Sequence, residues 1–130
     1  MVRMSWREAN RCRWVGVRPA HEGAAFFGSG VKSNGTAILY TVPAGQTAFL
    51  TYLSLQWSHT AQTTVVQLFV RDTEDALAFR LVYSNQTNTT SLAVATGLPY
   101  PIEVAAGYDI CILGNAGAGQ VSGCVSGWVE

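Results

Sequence analysis

The stretch Phe49-Leu-Thr-Tyr-Leu-Ser-Leu-Gln-Trp57 alternates in polarity with a period of two. Side chains along a β-strand point to opposite faces in turn, so this spacing belongs to a half-buried strand and not to a helix. It places Phe49, Thr51, Leu53, Leu55 and Trp57 on one mainly apolar face and Leu50, Tyr52, Ser54 and Gln56 on the other.

Outward from this run the pattern repeats in both directions. Val66, Leu68 and Val70 share one face, as do Leu77, Phe79, Leu81 and Tyr83 in the next run. Shorter β-rich runs cover Thr36 to Val42, Ser91 to Ala95, Tyr100 to Val104, Tyr108 to Leu113 and Gln120 to Val129, for about eight strands in all. Turn chemistry falls between them. Asn34-Gly35 tolerates the positive φ of a tight turn. Val42-Pro-Ala-Gly45 sets Pro second and Gly fourth, as a type I turn prefers, and Val104-Ala-Ala-Gly107 repeats it without the proline. Gly28-Ser29-Gly30 reads as a flexible loop. Folding residues 108 to 127 about Gly117-Ala118 gives a hairpin in which Ile110 faces Val125, Ile112 faces Gly123 and Cys111 faces Cys124. Together these features predict an all-β fold, an antiparallel jelly-roll-like β-sandwich of about eight strands at residues 33–130, preceded by a basic N-terminal arm at 1–32.

Charge separates arm from body. The arm holds Arg3, Arg7, Arg11, Arg13, Arg18 and Lys32 against Glu8 and Glu22, a net +4. The rest holds Arg71 and Arg80 against Asp72, Glu74, Asp75, Glu103, Asp109 and Glu130, a net −4. Such asymmetry marks a segment with a partner of its own. Ser5-Trp-Arg-Glu8 fits a capping box, which predicts a short helix to about Arg13 that needs a surface to dock on. Arg3, Trp6, Arg7, Arg11, Arg13 and Trp14 are the candidate partner-binding residues of the arm. Trp and Arg are the usual anchors of protein interfaces, and with one lysine in the chain and an acidic body a protein partner is favoured over nucleic acid. Only 12% of the residues are charged, about half the usual share, so the composition leans towards an oligomer or an assembly component. No run approaches the apolar length of a membrane helix, and the N-terminus lacks the apolar core of a signal peptide; the expectation is a soluble protein made in the cytoplasm.

Catalytic constellations are sparse. His21 and His59 lack the close spacing of a metal-binding pair, so no cofactor or metal is expected. Ser29 has no strand-turn-helix context around it, and Asp72, Glu74 and Asp75 sit in a polar connection that reads as solvated. The opposition of Cys111 and Cys124 in the predicted hairpin allows a disulfide, although reduced thiols are favoured in a cytoplasmic product. Trp57, Tyr100 and Trp128 are candidates for stacking on a glycan, with core packing (Trp57) and interface packing (Trp128) as the favoured roles.

Gly35 to Gly45, Gly-Thr-Ala-Ile-Leu-Tyr-Thr-Val-Pro-Ala-Gly, followed by the alternating strand, resembles small β-sandwich virion proteins of tailed phages. Leu98-Pro-Tyr-Pro-Ile-Glu-Val-Ala-Ala-Gly-Tyr-Asp-Ile110 is similar to the strand-turn-strand before their final hairpin. TNF-like and C1q-like trimers use similar patterns. The resemblance implies a capsid decoration or cement protein, or a tail or adaptor component, that is often trimeric. Its expected partner is the major capsid protein or a neighbouring virion subunit, and its expected place is the virion. A carbohydrate-binding module is the alternative.

Overall fold

The computed structural model describes residues 23–58, 63–86, 92–115 and 118–130. Eight strands account for most of them: β1 (Ala24–Lys32), β2 (Gly35–Thr41), β3 (Ala48–Trp57), β4 (Thr64–Arg71), β5 (Leu77–Gln86), β6 (Leu92–Val104), β7 (Asp109–Gly114) and β8 (Val121–Val129). Sheet I has the order β1-β8-β3-β6 and sheet II the order β2-β7-β4-β5, with every pairing antiparallel. The pairs β1·β8, β2·β7, β3·β6 and β4·β5 are the rungs of one long hairpin whose tip is the turn after Arg71. Rolling that hairpin lets β8 join β3 and β7 join β4, which closes two four-stranded sheets into a jelly roll. No helix among the described residues is long and apolar enough to cross a membrane.

The count of eight strands matches the sequence reading through two compensating differences. Residues 24–32, grouped with the arm, form β1 and pair along their whole length with β8, so Gly28-Ser29-Gly30 is strand and not loop. Its glycines serve close packing, since a Cβ at Gly28 would lie 2.3 Å from the Leu39 carbonyl oxygen. In the other direction, Ser91–Ala95 and Tyr100–Val104 fuse into the single edge strand β6, where Pro99 and Pro101 cost no central-ladder hydrogen bonds.

The core lies between the sheets. From sheet I it takes Phe26, Ala48, Leu50, Leu53, Leu55, Trp57, Val104, Val121, Val125 and Val129; sheet II supplies Leu39, Val66, Leu68, Val70, Ile110 and Ile112. A bulge between Leu50 and Tyr52 in β3 inserts Thr51 and reverses the phase, so Leu50 and not Phe49 enters the core with Leu53, Leu55 and Trp57. Two irregularities in the β4·β5 pairing do the same to β5. Phe79, Leu81 and Val82 pack on the core, whereas Leu77 and Tyr83 face solvent.

The predicted β7–β8 hairpin does not form. β7 and β8 lie in different sheets, and Asn115, just after β7, is anchored by accepting from the Val65 N–H (3.0 Å) and donating to the Thr63 carbonyl (2.8 Å). Ile112 and Gly123 do meet, but across the core, where a Cβ at Gly123 would lie 2.8 Å from Ile112 Cγ2. The two Ala-Gly turns form as a pair. They start one residue later than expected and are type II, not type I: Gln46 N–H donates to Pro43 O and Tyr108 N–H to Ala105 O, which puts Gly45 (φ 76°) and Gly107 (φ 78°) third and not fourth in each turn. Val42 joins the turns by donating to Tyr108 O and accepting from Gly107 N–H, both at 2.9 Å.

Candidate functional site

With both inner faces committed to the core, the described residues offer other molecules the two outer faces and the edges. On sheet I the cross-strand register aligns three outward rows: Phe27, Ser126, Tyr52 and Gly97; Ser29, Cys124, Ser54 and Ala95; and Val31, Ser122, Gln56 and Ala93. None of these twelve residues is Asp, Glu, Lys or Arg. Small side chains over β8, β3 and β6 leave a shallow trough of about 220 Å³, lined by Ser54, Gln56, Ala93, Ala95, Ser122 and Cys124 among others. The Cys124 thiol and Ser54 hydroxyl hydrogen-bond across its floor at 2.8 Å. Along one side, on edge strand β1, stand Phe27 and Val31, 67% and 56% exposed.

Sheet II presents a different outer face. Asp109 accepts from Thr41 Oγ1 at 2.6 Å and from Arg71 Nε at 2.9 Å, and Asp75 lies 3.3 Å from the same guanidinium nitrogen. The hydrogen bond to Asp109 raises the Arg71 pKa further. Beside this network Cys111 is fully buried under the outer side chains, between Ile38 and Phe69 on the neighbouring strands. Burial pushes its thiol up to about 11, against a smaller opposing effect of Arg71. Arg80 donates to Gln67 Oε1 at 3.0 Å and lies over the Tyr83 ring at 5.4 Å.

The residues singled out from sequence are scattered over these surfaces. Arg3, Trp6, Arg7, Arg11, Arg13 and Trp14 lie outside the described residues, as do His21, His59 and Cys12. Trp57 belongs to the core, and its buried indole N–H has no hydrogen-bond partner. Trp128 faces outward on sheet I but is 3% exposed, stacked on Phe49 at 5.1 Å with its N–H donating to Glu130. Tyr100 is 79% exposed on β6. The three aromatics therefore make no common platform. Cys111 and Cys124 are both free, as favoured, and they occupy opposite outer faces with two layers of sheet between them, so the disulfide that the predicted hairpin allowed does not form.

Candidate catalytic groups are engaged structurally. The Asp72 carboxylate accepts from the backbone N–H of Glu74 (2.8 Å) and of Ala76 (3.0 Å), closing the β4–β5 turn in which Asp75 adopts φ 63°. Ser29 is an outward strand residue opposite Cys124. Among the described residues no three His, Cys, Asp or Glu side chains gather as a metal site requires. The trough on sheet I was missed by the sequence reading, although Phe27, Ser29, Val31 and Ser122, Cys124, Ser126 each alternate with a period of two. No protein-family model and no curated protein matches the chain in sequence.

Proposed function

We propose that this protein is a non-enzymatic structural virion protein, a capsid decoration or cement protein of a tailed phage. In this reading the jelly roll is a rigid body that binds other protein through its surface, and the basic stretch ahead of Gly23 attaches it to the head. The observation that carries the reading is the block of three uncharged rows on the outer face of sheet I, which ends at the row that carries Glu103. Interface centres are depleted in charge and enriched in aromatic side chains, and this face joins Phe27 and Tyr52 to a floor without a single ionised group. The setting comes from the resemblance of residues 35–45 and 98–110 to phage virion proteins. Burial of Trp57 and Trp128, each 3% exposed, favours this role over carbohydrate binding, which needs open ring faces.

The mechanism is mechanical. An arm that orders on docking loses conformational entropy, and Trp6 and Trp14 are the side chains whose burial offsets that loss. Co-sedimentation with purified heads lacking this protein tests the reading. Saturable binding with a fixed number of copies per head is expected, and a protein that stays in the supernatant while binding glycans on an array overturns it.

A further inference from the structure

The outer face of sheet I combines a ridge and a hollow. Phe27 and Val31 rise from edge strand β1, and the trough lies over β8, β3 and β6, one to three strands away. An engineered cavity of about 150 Å³ accepts a benzene ring. A trough of about 220 Å³ therefore has room for a phenyl side chain. The trough's own Phe27 cannot fill it, because that side chain stands on β1 beside Ser126 and remains 67% exposed.

We propose that this face is a self-association surface and that Phe27 of one copy seats in the trough of another, over Ser54, Ala95 and Cys124. The contact is large against small, with no charge to desolvate on either side, so two identical faces are compatible where two like-charged ones would repel. It closes as a symmetric pair when each Phe27 enters the other copy's trough, or as a ring when the contact runs head to tail. Four strands about 4.8 Å apart and three rows about 7 Å apart give a footprint on the order of 400 Å² per copy. That is about half of what a stable interface contributes per partner, so association through this face alone is reversible and concentration-dependent. The inference deepens the structural role proposed above by naming the surface through which copies meet. It rests on sheet geometry and not on the virion setting, so head binding and self-association can fail separately.

Sedimentation equilibrium of the full chain over a wide concentration range tests it, with folding of each variant checked by circular dichroism. The mass is expected to rise from 13.9 kDa to a small multiple of it. Phe27→Ser removes the ridge and Ala95→Trp fills the trough. Both residues are exposed, so the fold tolerates the changes, and each is expected to weaken association at least about tenfold. Tyr83→Ser, on the outer face of sheet II, is expected to leave it unchanged. Alkylation of Cys124 is expected to slow as the wild-type concentration rises and to lose that dependence in Phe27→Ser. A monomer at every concentration, or an oligomer that survives both sheet I variants, overturns the proposal.

Discussion

The two outer faces come from one rolled hairpin, yet they resolve their polar groups in opposite ways. Sheet II ties them together within the chain, with Thr41 and Arg71 on Asp109 and Arg80 on Gln67 and Tyr83. Sheet I carries no charge over three rows and leaves a hollow beside an exposed aromatic ridge. One face contributes to the stability of the body, and the other is free for contact. The strand scaffold alone cannot produce that difference. It follows from which side chains the register brings side by side.

The sharpest way to break the comparison is to disarm each face and measure stability by chemical denaturation. Asp109→Ala removes the carboxylate that Arg71 and Thr41 both donate to and leaves Arg71 only the exposed Asp75, and a loss of about 1–3 kcal/mol is expected. Ser54→Ala removes one hydrogen bond to Cys124 on sheet I and is expected to cost about 1 kcal/mol or less. Equal losses would mean that the two faces do not differ in their contribution.

The next effect is a pH dependence confined to sheet II. The Cys111 thiol is pushed up to about 11, whereas a thiol in the unfolded chain titrates near 8.5. Between those values the unfolded chain has lost a proton that the folded one keeps. The unfolded state then binds fewer protons, and stability falls as pH rises through the window. Cys111→Ala is expected to flatten this alkaline limb in urea titrations, leaving the fall due to Tyr40, whose phenol is also raised by burial. A wild-type slope unchanged in the variant would remove Cys111 as its source. Accessibility gives a kinetic version of the comparison. Cys124 is expected to react with iodoacetamide in the native protein and Cys111 only after unfolding, as peptide mapping would read.

Core position Trp57 should show the smallest effect. Its indole N–H is buried without a partner, so Trp57→Phe exchanges some packing for the removal of an unpaired donor. A change within about 1 kcal/mol is expected, in contrast to the several kcal/mol that truncation of a buried aromatic to Ala costs.

Much of this fold was legible in period-two patterning, because a sandwich strand must alternate to bury one face. What the pattern could not carry was phase and partnership. The bulge at Thr51 exchanges Phe49 for Leu50 in the core, and single-strand alternation gives no signal for it. Gly28-Ser29-Gly30 reads as loop because glycine is rare in strands, yet here the close approach of β2 requires it. The hairpin expected around Gly117-Ala118 ranked the shortest connection first, whereas the roll pairs β7 with β2 and β8 with β1 over long sequence separations. The candidate surface was hidden for the same reason. Ser29, Cys124, Ser54 and Ala95 are unremarkable in four separate segments and become one row only when the register is known.

Attachment through the arm is tested most directly by comparing the full chain with one that begins at residue 19 for binding to purified phage heads. The shortened chain keeps all eight strands, since β1 begins at Ala24. It is expected to show the β-sheet spectrum of the full chain and the same number of copies per particle in solution, and to lose head binding. Equal head binding by the two chains would contradict the account.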